Sequence, residues 1–115
     1  MINKMKKYCL ALDLKDDVDK INEYKDYHQD IWPEISKSLK DSGILNAEIY
    51  NTGNRLFMII EVDRTFSFEK KLKMDLENPK VQEWEELMWN YQQALPQSEK
   101  GSKWVLMDKI FDLNK

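Results

Sequence analysis

The sequence predicts an α+β domain of the ferredoxin-like type, a split βαβ fold whose four-stranded antiparallel sheet carries its helices on one face. Two observations predict it. Stretches of period-two alternation and stretches of helical spacing follow one another in the order β-α-β-β-α-β, with each helical segment broken in two. The few glycines and prolines, three of each, fall where one periodicity gives way to the other. At 115 residues the chain, 1–115, reads as a single domain. A chain of that size buries roughly 60–70% of its unfolded surface, enough for a core without disulfides or structural metal.

The first strand is Lys7–Leu14, with Tyr8, Leu10, Leu12 and Leu14 on one face and Cys9, Ala11 and Asp13 on the other. Asp16 or Asp17 can cap the helix that follows, because a carboxylate accepts from orphan backbone N–H groups. Val18, Ile21, Tyr24 and His28 recur on it at helical spacing. Pro33 suits the first turn of a second, short helix striped by Ile35 and Leu39, and Gly43 is a C-terminal stop. Two strands, Leu45–Asn51 and Arg55–Val62, are joined by the hairpin signal Asn51-Thr-Gly-Asn54. In the second of them Leu56, Met58, Ile60 and Val62 oppose Phe57 and Ile59, which predicts a central strand covered on both sides. Ser67 caps a short helix carrying Phe68, Leu72 and Leu76, and Asn78-Pro79 starts a longer one. The inner face of that helix is read as Val81, Trp84, Leu87, Met88, Tyr91 and Leu95, ending at Pro96. After a loop, Gln97–Ser102, a last strand spans Lys103–Leu113, with Asp108 intruding on one apolar face.

Helices on one face leave the other sheet face apolar and uncovered. That predicts a homodimer, two sheets packed face to face about a twofold axis.

A net charge of −3 argues against nucleic-acid binding. The basic clusters Lys4, Lys6, Lys7 and Lys70, Lys71, Lys73 are each interrupted or followed by acids and read as solvated surface. The single cysteine, Cys9, reads as a small buried apolar residue, and no intramolecular disulfide can form. The segment Lys7–Lys15 is too short and too charged for a signal or membrane span. The expectation is a soluble cytoplasmic protein without a membrane partner. One histidine and one cysteine, far apart, give no metal-ligand spacing, and there is no glycine-rich phosphate loop.

The chemistry gathers in Asn22–Glu34, NEYKDYHQDIWPE, which holds the lone histidine. Tyr24 and His28 are four apart and so lie one above the other on a helix face. An imidazole with a reference pKa of about 6.5 can act as acid or base near neutrality. Tyr24 can bond a hydroxyl, Trp32 offers a flat apolar face for a sugar, and Asp30 and Glu34 are nearby carboxylates. By spacing alone, His28 also fits a helix-end residue, and Trp32 and Trp84 also fit a core. The run Glu83, Glu85, Glu86 fits a solvated helix face.

The run Tyr24-x-x-x-His28-x-x-Ile31-Trp32-Pro33-Glu34, followed by Gly43, Asn46 and Ile49-Tyr50, resembles the L-rhamnose mutarotase family. The likeness continues through Asn54-Arg55-Leu56-Phe57 and a helix carrying Trp84 that runs toward Leu95-Pro96. The resemblance implies a dimeric α/β barrel and a cofactor-free isomerase that interconverts the α and β anomers of a 6-deoxyhexose. It implies His28 as the proton-donating residue and Tyr24 as a substrate-binding one, with Trp32, Trp84, Glu85 and Tyr50 in the binding set. Two positions depart from the pattern. The family's second binding tyrosine falls on Ala47, and its tandem tryptophan falls on Trp84-Glu85. Both changes bear on which hydroxyl pattern fits, and they make L-fucose, or another deoxy or ulosonic sugar, a candidate beside L-rhamnose.

Anomers exchange by ring opening, so one acid and one base suffice. His28 would protonate the ring oxygen, or act in the equivalent reverse step. Asp30, Glu34, Glu85 or water would be the complementary base, with Asp108 a weaker option. Two other readings stand beside this one. The lone histidine with Met58, Met88 and Met107 would suit a haem- or aromatic-substrate-handling protein of the same barrel type. A noncatalytic sugar-binding dimer is the other.

Overall fold

The computed structural model describes residues 5–99 and 103–114. Lys4, and residues 100–102 of the expected Gln97–Ser102 loop, lie outside them. The elements run β1 Lys6–Leu14, α1 Val18–Gln29, α2 Pro33–Asp41, β2 Ile44–Thr52, β3 Arg55–Val62, α3 Phe68–Leu76, α4 Pro79–Trp89, β4 Gln92–Gln93 and β5 Val105–Leu106. The sheet order is β2-β3-β1-β4, with β5 also on β1, and the pairings are antiparallel. Gln93 stands opposite Asp13 and Val105 opposite Ala11, so β4 and β5 follow one another along β1 although the chain leaves the sheet between them. The fold is the split βαβ arrangement that the element order predicts.

Each helix begins where its local chemistry allows. Asp17 caps α1, accepting from the backbone N–H groups of Asp19 at 3.0 Å and Lys20 at 3.2 Å. Ser67 caps α3 through Lys70 N–H, and Asn78 caps α4 through Lys80 and Val81 N–H. Pro33 and Pro79 occupy first-turn positions, where no N–H is needed. Gly43, after α2, has φ +101°, and a Cβ there would meet Asp63 Oδ1 at 2.7 Å. Only glycine fits that close, left-handed turn.

The helices cover the face that carries Leu10, Leu12 and Leu14 of β1 and Leu56, Met58, Ile60 and Val62 of β3. Leu12, Leu14, Leu56 and Val62 are fully buried there. Cys9 and Ala11, with Phe57 and Ile59 opposite them, form the other face and belong to neither core cluster. β3 is therefore central in the sheet, but the described residues cover it on one side only.

Three further expectations change. The last helix stops at Trp89, seven residues before Pro96, because Tyr91 is drawn to the chain just after β1: Lys15 N–H donates to its carbonyl at 2.8 Å. Tyr91 still packs in the core, from beyond the helix. The last strand shrinks from Lys103–Leu113 to Val105–Leu106, extended only by Met107 N–H donating to Cys9 O at 2.8 Å. Beyond it Ile110 is 94% and Phe111 75% exposed, with no strand of this chain to pair with among the described residues. The stripe Phe68, Leu72, Leu76 on α3 is also not a buried one. All three are exposed, and the buried residue of that helix is Asp75. No helix among the described residues is long and apolar enough to cross a membrane.

Candidate active site

Between the helices and the covered sheet face lies a cavity of about 640 Å³, mostly apolar in its lining. That size is within the range of small-molecule sites. Tyr24 and His28 reach it from α1, Trp84, Glu85 and Met88 from α4, and Gln92 from β4. The helical repeat of α1 puts Tyr24 and His28 on its inward side, and core packing around Tyr24, Trp84 and Tyr91 holds that side against the sheet.

The His28 Nδ1 atom lies 2.8 Å from the carbonyl oxygen of Tyr24. A carbonyl only accepts, so Nδ1 carries the proton, and in the neutral ring Nε2 is left with a free lone pair. Burial pushes the His28 pKa below its ordinary value, outweighing the opposite influence of that hydrogen bond. The imidazole is therefore uncharged near neutrality and can accept a proton at Nε2. The Tyr24 ring stacks against His28 with centroids 4.3 Å apart, and the Trp84 indole meets the imidazole edge-on at 5.6 Å. Burial raises the Tyr24 phenol to about 12, so it stays protonated. Its oxygen accepts from Gln92 Nε2 at 3.4 Å, and its own proton has no acceptor among the described residues. One base, one neutral O–H donor and an indole thus share a cavity wall.

The other candidates divide. Glu85 lines the cavity and pairs with Lys103 at 3.3 Å. Trp32 does not line it. It stands behind Trp84, ring centroids 5.1 Å apart, and borders a separate shallow depression. Tyr50 pairs with Phe57 on the uncovered sheet face, where its hydroxyl donates to Glu48 at 3.3 Å. Asp30, Glu34 and Asp108 are exposed and absent from the lining, which leaves Glu85 as the only one of the four carboxylates considered that faces the cavity. Met58 and Met88 line it, but Met107 does not, so the three methionines do not form one apolar nest. Ala47 borders the cavity, as its small size leaves room to do.

Sequence reasoning missed Gln92, Lys103 and Trp104, all on the cavity wall. Gln92 gives no signal in the sequence, because the helical period of α4 runs on past Trp89 and conceals the short strand that follows. Lys71, in one of the basic clusters expected to be solvated, lines the cavity too, paired with Asp75.

The family model of L-rhamnose mutarotase matches residues 7–113. The chain belongs to the L-rhamnose mutarotase family. An L-fucose mutarotase of Xanthomonas campestris is 39% identical over 112 residues, spanning 96% of this chain and 90% of the relative. A UPF0734 protein of Dictyostelium discoideum is 36% identical over 116 residues, spanning 95% and 90%. The crystal structure of an L-rhamnose mutarotase of Formosa agariphila superposes with a TM-score of 0.69 at 22% identity, covering 94% of this chain and 98% of that one. At that identity the likeness speaks for the fold. As a member of this mutarotase family the chain is an isomerase acting on carbohydrates.

Proposed function

We propose that the chain interconverts the α and β anomers of a 6-deoxyhexose, L-fucose or L-rhamnose, by acid/base ring opening and closure without a cofactor. The observation that carries the reading is the pair His28 and Tyr24 on one cavity wall, an uncharged imidazole beside a phenol that keeps its proton. His28 Nε2 takes the proton of the anomeric hydroxyl as the ring C–O bond breaks, and a donor delivers a proton to the departing ring oxygen. The Tyr24 O–H, or a water, is that donor. The carbonyl then rotates and the ring closes on its other face, with the two proton transfers reversed. In that reverse sense His28 is the proton donor that the family resemblance implies. Trp84 offers the apolar C–H face of the sugar a flat partner, and Glu85 accepts from a hydroxyl.

The L-fucose reading is supported by the 39% identical relative of that name and by Ala47 and Glu85 on the cavity wall. Saturation-transfer NMR between anomeric protons, run on L-fucose, L-rhamnose and D-sugars, tests it. One 6-deoxyhexose should exchange at catalytic protein concentration, and no acceleration for any of them would overturn the proposal.

The working unit is a homodimer. Its support is the uncovered apolar face carrying Phe57 and Ile59, together with the exposed Ile110, Phe111 and Leu113. Sedimentation at micromolar concentration should give twice the 13.8 kDa chain mass. A monomer there would refute this point alone.

A further inference from the structure

One side of α3 carries Phe68, Lys71, Leu72 and Asp75 at helical i, i+3, i+4, i+7 spacing; all four line the cavity, although Phe68 and Leu72 are themselves exposed to solvent. Two of the four are charged. Asp75 is only 7% exposed, although a pattern of apolar burial would put a leucine there. Its Oδ2 accepts from Lys71 Nζ at 2.5 Å, while its Oδ1 has no partner among the described residues and is not sealed from solvent. The Lys71 ammonium carries three protons, and one bond to Asp75 leaves it others to give. Gln82 Nε2 donates to the backbone carbonyl of Asp75 at 2.8 Å, which ties the main chain at that position to α4. The small side chain of Ala47 stands on the same cavity wall, and the space runs on from Tyr24 and His28 on α1, past α4, to this pair on α3.

We propose that Lys71 and Asp75 form a hydroxyl-binding subsite for the part of the sugar remote from its anomeric carbon. The inference rests on the mutarotase reading and adds to it a specificity element. The pair presents a donor and an acceptor side by side, and an alcohol, which is both, can satisfy the two at once. The ion pair has no net formal charge, so it offers neither an anion nor a cation a net attraction, and a neutral polyol suits it. The subsite holds substrate and takes no part in proton transfer. Its loss is therefore felt equally in the ground and transition states, as a rise in KM with kcat unchanged.

Lys71→Met and Asp75→Asn test this on the full chain, with L-fucose and L-galactose as probes. Calorimetry reads the binding and NMR exchange the turnover. Each variant should weaken binding roughly tenfold, the effect of one hydrogen bond to a charged group, with kcat within about twofold of wild type. Wild-type affinity in both variants, with only a lower Tm, would make the pair a helix brace and overturn the subsite while leaving the mutarotase reading intact. A wild-type protein that binds neither sugar and speeds no anomer exchange would overturn both. Should neither variant fold, nuclear Overhauser contacts between Leu72 methyls of the wild type and bound sugar read the same subsite, and bound sugar without them refutes it.

Discussion

The carbonyl of Tyr24 receives the Nδ1 proton of His28 at 2.8 Å, one helical turn away, while the two rings stack at 4.3 Å. A single residue thus sets the tautomer of the imidazole with its backbone and presents a phenol to the same cavity with its side chain. The proposed base and the proposed donor are consequences of one turn of α1.

Removing the base should remove most of the rate. His28→Ala is expected to slow anomer exchange by about 10²–10⁴-fold, with circular dichroism and Tm close to wild type. Saturation transfer on the responsive sugar measures it, and a variant as fast as wild type excludes His28 from proton transfer.

The pH dependence has a definite sign. Burial disfavours the charged ring, so folded His28 holds its proton less tightly than the unfolded chain, where the imidazole titrates at 6.5. Its contribution to stability is complete above that value and is lost as pH falls through the lower folded pKa. The proposed rate follows the same group, since a protonated Nε2 accepts nothing. The acidic limb of kcat should lie below pH 6.5, and Tyr24, raised to about 12, should add no alkaline limb near neutrality. An acidic limb above the ordinary imidazole value would contradict the assignment.

Ala47→Tyr should narrow the cavity. A phenol there occupies space beside Ile49 and adds a hydroxyl to the wall. The ratio of kcat/KM for L-rhamnose over L-fucose is expected to rise by about tenfold, the order of a pocket change worth 1–3 kcal/mol. An unchanged ratio would show that position 47 does not select the sugar.

Gly43→Ala should destabilise the protein by about 1–3 kcal/mol. The new methyl group would have to occupy a φ of +101° and displace the Asp63 carboxylate, which also holds Thr65 through its N–H at 2.8 Å and hydroxyl at 2.6 Å. Urea denaturation measures the loss, and a midpoint equal to wild type would mean that the turn relaxes freely.

Local chemistry carried most of the fold into view. Asp17, Ser67 and Asn78 cap helices where short-range hydrogen bonding puts them, and the alternation of Tyr8 to Leu14 survives intact as β1. Legibility failed where distant partners decide. Tyr91 fits the helical period of α4, but the bond from Lys15 N–H to its carbonyl and the bond from its hydroxyl to Glu23 at 3.0 Å hold it beyond the helix. The segment after Met107 alternates like a strand, yet a strand needs a neighbour, and none is supplied within this chain's described residues. The site behaved the same way. Tyr24 and His28 could be paired from an interval of four residues, whereas Gln92, 64 residues beyond His28, meets Tyr24 only through the tertiary fold. Asp75 was hidden for a different reason: an inward carboxylate looks, in one dimension, like any charge on an exposed helix.

The hold on the imidazole has an evolutionary corollary. Where a carboxylate side chain orients a histidine, one substitution can disorient it. Here the anchor is a peptide group, which every amino acid at position 24 possesses. Side chains of the cavity wall such as Ala47 and Glu85 can therefore change without the ring losing this anchor.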